Sequence, residues 1–133
     1  MKVKKVVIYT DGASQGNPGR AAVGATIKDE QGRLVTSISR KIGRATNNQA
    51  EYTAVIAALE MAIGLGAEEV ELNSDSQLVV RQIRGQYRVK KTTLKPLYHQ
   101  VKQLQGLLHT FTVNYIPREQ NREADNLANV ALG

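Results

Sequence analysis

Four of the twelve acidic residues stand where solvated surface carboxylates are uncommon. Asp11 follows the β-branched residues of the first predicted strand, and a buried charge there is costly unless it is paired or bound to metal. Glu51 shares one helical face with Val55 and Leu59. A solvated glutamate would avoid that apolar face, so both acids call for a partner of opposite charge.

The other two acids follow or begin predicted elements of secondary structure. Asp75 ends a predicted strand, and in mixed α/β sheets ligands bind in crevices outside the carboxyl ends of strands. Asp125 lies near the start of the last predicted helix, with Ala128 and Leu132 on the same side. Taken singly, Glu51 and Asp125 also fit first-turn acids that favour the helix dipole, worth ~0.3–1 kcal/mol. Their joint placement predicts that all four acids converge on one pocket.

A pocket that holds three or four carboxylates requires a cation, because like charges repel one another and only a cation keeps them ionised at neutral pH. Oxygen ligands without His or Cys select Mg²⁺ or Mn²⁺ over zinc. Two such ions ~3.5–4 Å apart generate hydroxide on one side of a phosphodiester and stabilise the leaving oxygen on the other. This chemistry is typical of a nuclease.

The basic residues are concentrated in one segment. The formal net charge is +6, yet residues 76–118 contain no acid and eight bases: Arg81, Arg84, Arg88, Lys90, Lys91, Lys95, Lys102 and Arg118. The rest of the chain therefore carries a net charge of −2. A solvated helix face would explain such a segment, and so would a polyanionic partner, nucleic acid first.

Composition excludes several other classes of function. Without cysteine, the 133-residue chain has no disulfide, no thiol nucleophile and no cysteine-bound zinc or iron–sulfur cluster. Its length is typical of one domain of ~100–150 residues. The N-terminal apolar run is shorter than a signal-peptide core, and the longest apolar stretch, residues 52–67, is interrupted by Glu60 and Gly64. We therefore expect a soluble cytoplasmic protein without a membrane segment.

The first half of the chain predicts a meander followed by a long helix. Strands are expected over residues 3–12, 21–28 and 34–42, because β-branched residues cluster there and a Gly-containing turn joins the second strand to the third. Thr46 and Gln49 have the spacing of a capping box, which predicts a helix from there to about residue 63.

The second half predicts strands that are reached through helices. A half-exposed strand ends at residues 74–75, short helical segments are expected up to Gly85 and over residues 93–107, and a strand follows over residues 110–116. Asn121 is positioned to cap a last helix. The order βββαβααβα predicts an α/β fold, a mixed five-stranded sheet flanked by helices, in a single domain over residues 1–133.

Four segments, in this order, resemble the motifs of type 1 ribonuclease H: residues 9–19 (YTDGASQGNPG), 46–51 (TNNQAE), 73–77 (NSDSQ) and 121–128 (NREADNLA). The resemblance spans nearly the whole chain. A single such turn is a weak signal, but four motifs with this spacing and the same order of strands and helices are highly specific.

The resemblance implies an endonuclease of the ribonuclease H-like fold that hydrolyses the RNA strand of RNA–DNA hybrids with two Mg²⁺ ions, leaving 5′-phosphate and 3′-hydroxyl ends. Mn²⁺ is an expected substitute, and double-stranded RNA is a further expected partner. By this resemblance the catalytic and metal-binding acids are Asp11, Glu51, Asp75 and Asp125. It also implies a set of substrate-binding residues: Gly12, Gly16, Asn17, Thr46, Asn47, Asn48 and Gln77. Amides and backbone groups suit the RNA 2′-hydroxyl, which both donates and accepts hydrogen bonds.

Two features depart from the family pattern. Many members have a His in the loop before the last acid, whereas residues 117–121 contain none, and Arg118 or Glu119 is the expected replacement. The chain also has no Trp, so it resembles a short form that lacks the Trp-rich basic protrusion of some bacterial members. Tyr87 and Tyr98 are expected in core packing rather than in stacking on DNA. A weaker grip on the DNA strand follows.

Two alternatives to a ribonuclease H remain at this stage. A non-catalytic module could bind hybrid or double-stranded RNA, although a pure binder gains nothing from four acids that face phosphate. Another nuclease of the same superfold, such as an integrase-like enzyme, would have no use for residues that read the 2′-hydroxyl. For the ribonuclease H a monomer is expected, and the sequence leaves a dimer open.

Overall fold

The computed structural model describes residues 3–133. Ten elements follow one another along the chain: strands β1 (Lys5–Ser14), β2 (Gly19–Lys28) and β3 (Leu34–Ala45), helix α1 (Asn47–Gly64), strand β4 (Glu69–Ser74), helices α2 (Gln77–Ile83) and α3 (Lys95–Gln105), strand β5 (Thr110–Tyr115), a 3-10 turn (Arg118–Gln120) and helix α4 (Arg122–Leu132). The order of strands and α-helices is the predicted one. Within residues 3–133, no helix is both long and apolar enough to cross a membrane.

The five strands form one mixed sheet in the order β3-β2-β1-β4-β5. The first three strands pair antiparallel as a meander, whereas β4 pairs parallel to both β1 and β5. Parallel neighbours need a long crossover connection, which here contains a helix each time. The predicted α/β fold with a mixed five-stranded sheet is confirmed, and the most apolar strand, β1, lies at its centre.

Several bounds differ from the predictions. Strand β1 continues past Asp11 to Ser14, because residues 11–14 keep their antiparallel pairing with residues 21–24 of β2. The strand therefore ends two residues later than predicted, with Asp11 well inside it. Helix α3 begins at Lys95, two residues later than predicted, with proline in its first turn.

The core lies between the sheet and the long helix α1. Apolar side chains of the central strands pack on α1 residues that include Tyr52 and Leu59, both without solvent exposure. The Tyr52 hydroxyl donates a hydrogen bond of 2.7 Å to Oε1 of Gln82 on α2, which provides a partner for two buried polar groups. Burial raises the pKa of Tyr52 above its ordinary value.

Two glycines allow helices to approach the sheet closely. A Cβ atom at Gly12 would overlap the backbone of Ala50 in α1, and one at Gly24 would overlap the backbone of Ala124 in α4. Gly24 pairs with Asp11 across the β1–β2 ladder, next to the pair that contains Gly12. Because successive residues of a strand face opposite sides, α1 and α4 cover opposite faces of the sheet.

We expect Gly24→Ala to destabilise the fold by about 1–3 kcal/mol, because the new methyl group forces α4 away from β2. Urea denaturation measures the change. Gly64→Ala is the matched control, since a Cβ atom at the end of α1 meets nothing within 4 Å. The control should be neutral or slightly stabilising. Equal stability of Gly24→Ala and the wild type would contradict this account of how α4 packs.

Candidate active site

The parallel pairing of β1 with β4 brings the first two acids together. Thr10 pairs with Ser74 at the end of this ladder, so Asp11 and Asp75 each directly follow one member of this last pair. Asp11 is 7% exposed, while Asp75 is half-buried. The two acids therefore come together where the β1–β4 ladder ends, with Asp11 inside β1 and Asp75 directly after β4.

Helix α1 supplies the third acid. Thr46 caps this helix, and its side chain and that of Gln49 form the predicted capping box, with hydrogen bonds of 3.2 and 2.9 Å. Glu51 is the fifth residue of α1, beyond the predicted first turn, so a simple helix-dipole role does not explain it. The backbone N–H of Gly12 donates to Oε1 of Glu51, which holds the carboxylate against β1.

The three acids form one cluster. Asp11, Glu51 and Asp75 each offer one carboxylate oxygen, and these oxygens lie within 4.8 Å of one another. They line a cleft of about 530 Å³. Asp125, on the first turn of α4, lines the same cleft but stands outside the cluster of three.

Two polar side chains that are close to Asp125 in sequence also contact its carboxylate. Nη2 of Arg118 lies 3.9 Å from its Oδ1 atom, and Nδ2 of Asn129 donates to the same oxygen at 3.3 Å. Arg118 is exposed and also lines the cleft. The pair is wide and largely solvated, so its contribution to stability is small.

Electrostatics in the cleft oppose full ionisation. Burial, followed by the charge of Glu51, raises the pKa of Asp11, and burial also raises the pKa of Glu51. The pKa of Asp75 is raised by burial as well, although hydrogen bonding from Asn121 and the charge of Arg118 oppose the shift. The three carboxyls therefore compete for protons unless a cation neutralises them.

The donor set fits a hard divalent cation. The cluster consists of carboxylate oxygens, without nitrogen or sulfur ligands, and such sites suit Mg²⁺ or Mn²⁺. The side chains of Asp11, Glu51 and Asp75 would hold an ion, and Asp125 borders the same cleft.

The residues expected to bind substrate fall into two groups. Gly12, Asn47 and Asn48 line the cleft, whereas the other four lie outside its lining: Gly16, Asn17, Thr46 and Gln77. Oδ1 of Asn17 accepts a hydrogen bond of 3.0 Å from the backbone N–H of Asn47, so this amide ties the β1–β2 turn to α1.

The structure adds residues that the sequence patterns did not single out. Ser76, Tyr115 and Asn129 line the cleft, and Tyr115 is 48% exposed there. Ser76 directly follows Asp75, and Asn129 lies one helical turn after Asp125. Tyr115 had no comparable signal in the sequence, because it is distant in sequence from each predicted acid.

Asn121 plays a different part from the predicted helix cap. No hydrogen bond from its side chain caps α4; instead Nδ2 donates at 2.8 Å to the backbone oxygen of Thr10. The Asn121 side chain is buried and also hydrogen-bonds to Asp75, lowering the pKa of that carboxyl. This residue links the loop before α4 to the central strand at the acidic cluster.

The predicted basic segment divides between structural and exposed bases. Nζ of Lys102 donates to the Ile83 oxygen at 2.6 Å, and Nε of Arg84 donates to the Val113 oxygen at 2.8 Å. Tyr87 is 45% exposed, and the guanidinium carbon of Arg81 lies 5.2 Å from the centre of its ring in a cation–π contact. The expectation of core packing is therefore wrong for this tyrosine. The remaining bases include Arg88 and Lys95 on a cavity with Tyr87, Tyr98 and His99.

Comparisons with known proteins agree with this geometry. A family model described as reverse transcriptase-like matches residues 9–131. The crystal structure of RNase H1 from Halobacterium salinarum superposes with a TM-score of 0.94 at 44% identity, covering 96% of this chain and 97% of that one. The chain belongs to the type 1 ribonuclease H family.

Two further ribonuclease H relatives have similar folds. The N-terminal ribonuclease H domain of Rv2228c from Mycobacterium tuberculosis has a TM-score of 0.94 at 42% identity, covering 97% of this chain and 99% of that chain. LC11-RNase H1 in complex with RNA/DNA hybrid has a TM-score of 0.89 at 41% identity, covering 94% of each chain.

Relatives differ in total length. This chain matches 64% of the ribonuclease HI of Halobacterium salinarum and 35% of the bifunctional protein Rv2228c, at 44% identity in both. It therefore spans between about a third and two thirds of the length of these relatives.

The acidic cluster predicts that Mg²⁺ stabilises the protein more strongly as pH rises. The folded state holds protons on Asp11 and Glu51 more tightly than the unfolded chain, whose ordinary pKa values are 3.8 and 4.5. Proton binding therefore stabilises the metal-free fold at low pH, and this contribution is lost as pH rises through the raised values. Mg²⁺ replaces the protons, so its stabilising effect grows over the same range.

Melting temperatures between about pH 5.5 and pH 9, with Mg²⁺ or with EDTA, measure this linkage. The Mg²⁺-induced increase in Tm should be small at the acid end and largest at the alkaline end. Asp11→Asn should lack most of this pH dependence, because it replaces a titrating carboxyl by an amide of similar size that does not titrate. An equal Mg²⁺ effect at every pH would contradict the assignment of these protons.

Proposed function

We propose that the protein is a divalent-metal-dependent endonuclease that hydrolyses the RNA strand of RNA–DNA hybrids. The observation that carries this proposal is the cluster of Asp11, Glu51 and Asp75, whose carboxylate oxygens lie within 4.8 Å of one another in a polar cleft. A similar chain, LC11-RNase H1, has been solved in complex with RNA/DNA hybrid. The products expected by family resemblance have 5′-phosphate and 3′-hydroxyl ends.

Four acids are proposed as catalytic residues and metal ligands: Asp11, Glu51, Asp75 and Asp125. When bound, two Mg²⁺ ions would activate the attacking water and stabilise the leaving oxygen, with Mn²⁺ as a substitute. The chain's own contribution is positional. Because β1, β4 and α1 each fix one carboxylate, little reorganisation is needed when the site is loaded.

Recognition of the RNA strand is proposed for the β1–β2 turn and the start of α1. Gly12, Asn47 and Asn48 border the cleft, so their backbone and amide groups face a strand that enters it. Gly16, Asn17 and Gln77 are proposed to support the same strand from outside the cleft, and Thr46 is proposed to contact a phosphate of the DNA strand. The 2′-hydroxyl, which DNA lacks, gives these groups a basis for selecting RNA.

The exposed bases between α2 and α3 are proposed to grip the other strand. Arg88 and Lys95 share a cavity of about 600 Å³ with Tyr87, Tyr98 and His99. Cationic and aromatic groups together suit a phosphate backbone and its sugars. Because Arg84 and Lys102 are used within the fold, this grip is weaker than the count of eight bases suggests.

The proposal covers residues 1–133 as one domain that acts as a monomer in the cytoplasm, with double-stranded RNA as a second substrate. Cleavage of matched RNA–DNA hybrid, RNA duplex and DNA duplex, each with Mg²⁺, Mn²⁺ or EDTA, tests it. Cleavage of the hybrid's RNA strand is expected with either metal and not with EDTA. Cutting of DNA duplex would favour another nuclease of the superfold, and binding without cleavage would favour a non-catalytic module.

We expect Asp75→Asn to abolish hybrid cleavage while hybrid binding survives. The substitution removes a ligand charge, which weakens metal coordination, but it also reduces repulsion of phosphate. Gel assays follow cleavage, and fluorescence anisotropy in EDTA follows binding. Asp29→Asn is the control, since that acid lies in the β2–β3 turn and pairs with Arg33. Persistent Mg²⁺-dependent cleavage by Asp75→Asn at more than trace level would falsify the proposed role.

Arg118 is proposed as the loop residue that assists in place of the family's His. Arginine remains protonated, so it acts by charge beside Asp125 rather than as a base. Arg118→Ala should lower kcat about tenfold, the effect of ~1.4 kcal/mol in the barrier, with a smaller change in KM. Arg122→Ala is the control, because Arg122 is exposed nearby but does not line the cleft. Unchanged turnover and metal dependence in Arg118→Ala would exclude this role.

A further inference from the structure

A second cavity with two basic side chains lies at the far end of α4. Its volume is about 210 Å³, and its lining consists of Arg20, Ala21, Lys41, Gly43 and Leu132. We call it the Arg20–Lys41 pocket. None of these residues belongs to the segment 76–118 that carries the excess of positive charge in the sequence.

A β-bulge brings the two bases to one face of the sheet. Arg20 and Ala22 are two residues apart on β2, so they face the same side, and Lys41 of β3 pairs directly with Ala22. The register shifts at this point because Ile42 is an extra residue, followed by Gly43 with a φ of +81°. Without the bulge, Lys41 would face the opposite side from Arg20.

Hydrogen bonds orient Arg20 at this pocket. Its Nε donates to Oε1 of Gln15 at 2.9 Å, and its Nη2 donates to the backbone oxygen of Leu132 at 3.4 Å. A guanidinium has five N–H donors, so three remain available for a ligand. The bond to Leu132 also offsets the negative end of the α4 dipole beside the pocket.

The two bases also lack acidic partners. The ion pairs described within residues 3–133 involve other bases, Lys28, Arg33 and Arg118. Both Arg20 and Lys41 are exposed. The pocket therefore presents uncompensated positive charge, which suits an anion.

Helix α4 connects this pocket to the acidic cleft. Asp125 and Asn129 line the cleft, and Leu132 lines the pocket. At 1.5 Å per residue, Leu132 lies about 10 Å along the helix axis from Asp125. The pocket is therefore close enough to the cleft for one bound strand to reach both.

We infer that the Arg20–Lys41 pocket binds a backbone phosphate of the RNA strand, a few nucleotides from the phosphate that is cut. This inference rests on the proposed function, because the cleft sets where the strand runs. The contact is to phosphate and not to a base, so it positions the strand without reading its sequence.

Phosphate neutralisation tests the inference. An RNA–DNA hybrid carries one neutral methylphosphonate at a time, first along the RNA strand and then along the DNA strand, and its affinity is measured by fluorescence anisotropy in EDTA. For the wild type, a methylphosphonate at one particular position of the RNA strand should weaken hybrid binding about threefold to fivefold, as expected for loss of an exposed ion pair. Lys41→Ala should weaken binding of the unmodified hybrid to the same degree and show no further loss at that position.

Three comparisons complete the test. Lys41→Arg should behave as the wild type, and Lys4→Ala should too, because Lys4 is an exposed residue next to the opposite end of β1. The slope of log K against log salt concentration should decrease by about one in Lys41→Ala. The inference is wrong if Lys41→Ala binds the hybrid as the wild type does. It is also wrong if the substitution changes the effect of neutralising every phosphate equally, or only the effect of neutralising phosphates of the DNA strand.

This outcome is separable from the proposed function. Cleavage in Mg²⁺ maps the cut and hence the distance from it to the coupled phosphate. If no cut occurs, the proposed function fails, whereas the coupling between Lys41 and one RNA phosphate is still measured in EDTA.

Discussion

Repulsion among three buried carboxylates is the constraint on which the rest of this structure depends. With an effective dielectric constant near 20, two unit charges separated by 4.8 Å repel by about 3 kcal/mol. Three such pairs total roughly 10 kcal/mol, comparable with the whole stability of a small domain at about 5–15 kcal/mol. The fold therefore holds Asp11, Glu51 and Asp75 together only with bound protons or with a cation, and binding of one releases the other.

The elements that impose this repulsion are rigid for reasons unrelated to the acids. Hydrogen bonds to β2 on one side and β4 on the other fix the backbone of β1. Because Gly12 has no side chain, α1 approaches β1 so closely that the backbone N–H of Gly12 donates to the Glu51 carboxylate. The carboxylates cannot separate without loss of backbone hydrogen bonds or core packing. Asp125 is different, because it belongs to α4, whose position depends on the contact at Gly24. A displacement of α4 would therefore move the fourth acid and leave the cluster of three in place.

Local patterns predicted most of the fold and the four acids, and non-local pairing explains what they missed. Alternating apolar residues and a capping box depend on neighbours in sequence, so the order of elements and the start of α1 followed from them. The continuation of β1 beyond Asp11 depends on β2, and the hydrogen bond from Asn121 to Thr10 joins residues that are distant in sequence. The Arg20–Lys41 pocket depends on a single extra residue, Ile42, whose effect on side-chain direction appears only once the register is known.

This register changes the interpretation of the charge pattern. Counting along the chain placed the whole positive excess in residues 76–118, yet Arg84 and Lys102 of that segment bind backbone oxygens. Two further bases, from β2 and β3, line a separate pocket at the C-terminal end of α4. Exposed charges are screened beyond about 8–10 Å at physiological salt. The Arg20–Lys41 pocket lies about 10 Å along α4 from Asp125, so its attraction for phosphate is little reduced by the acids. Strand binding and metal binding can therefore be changed independently in this domain.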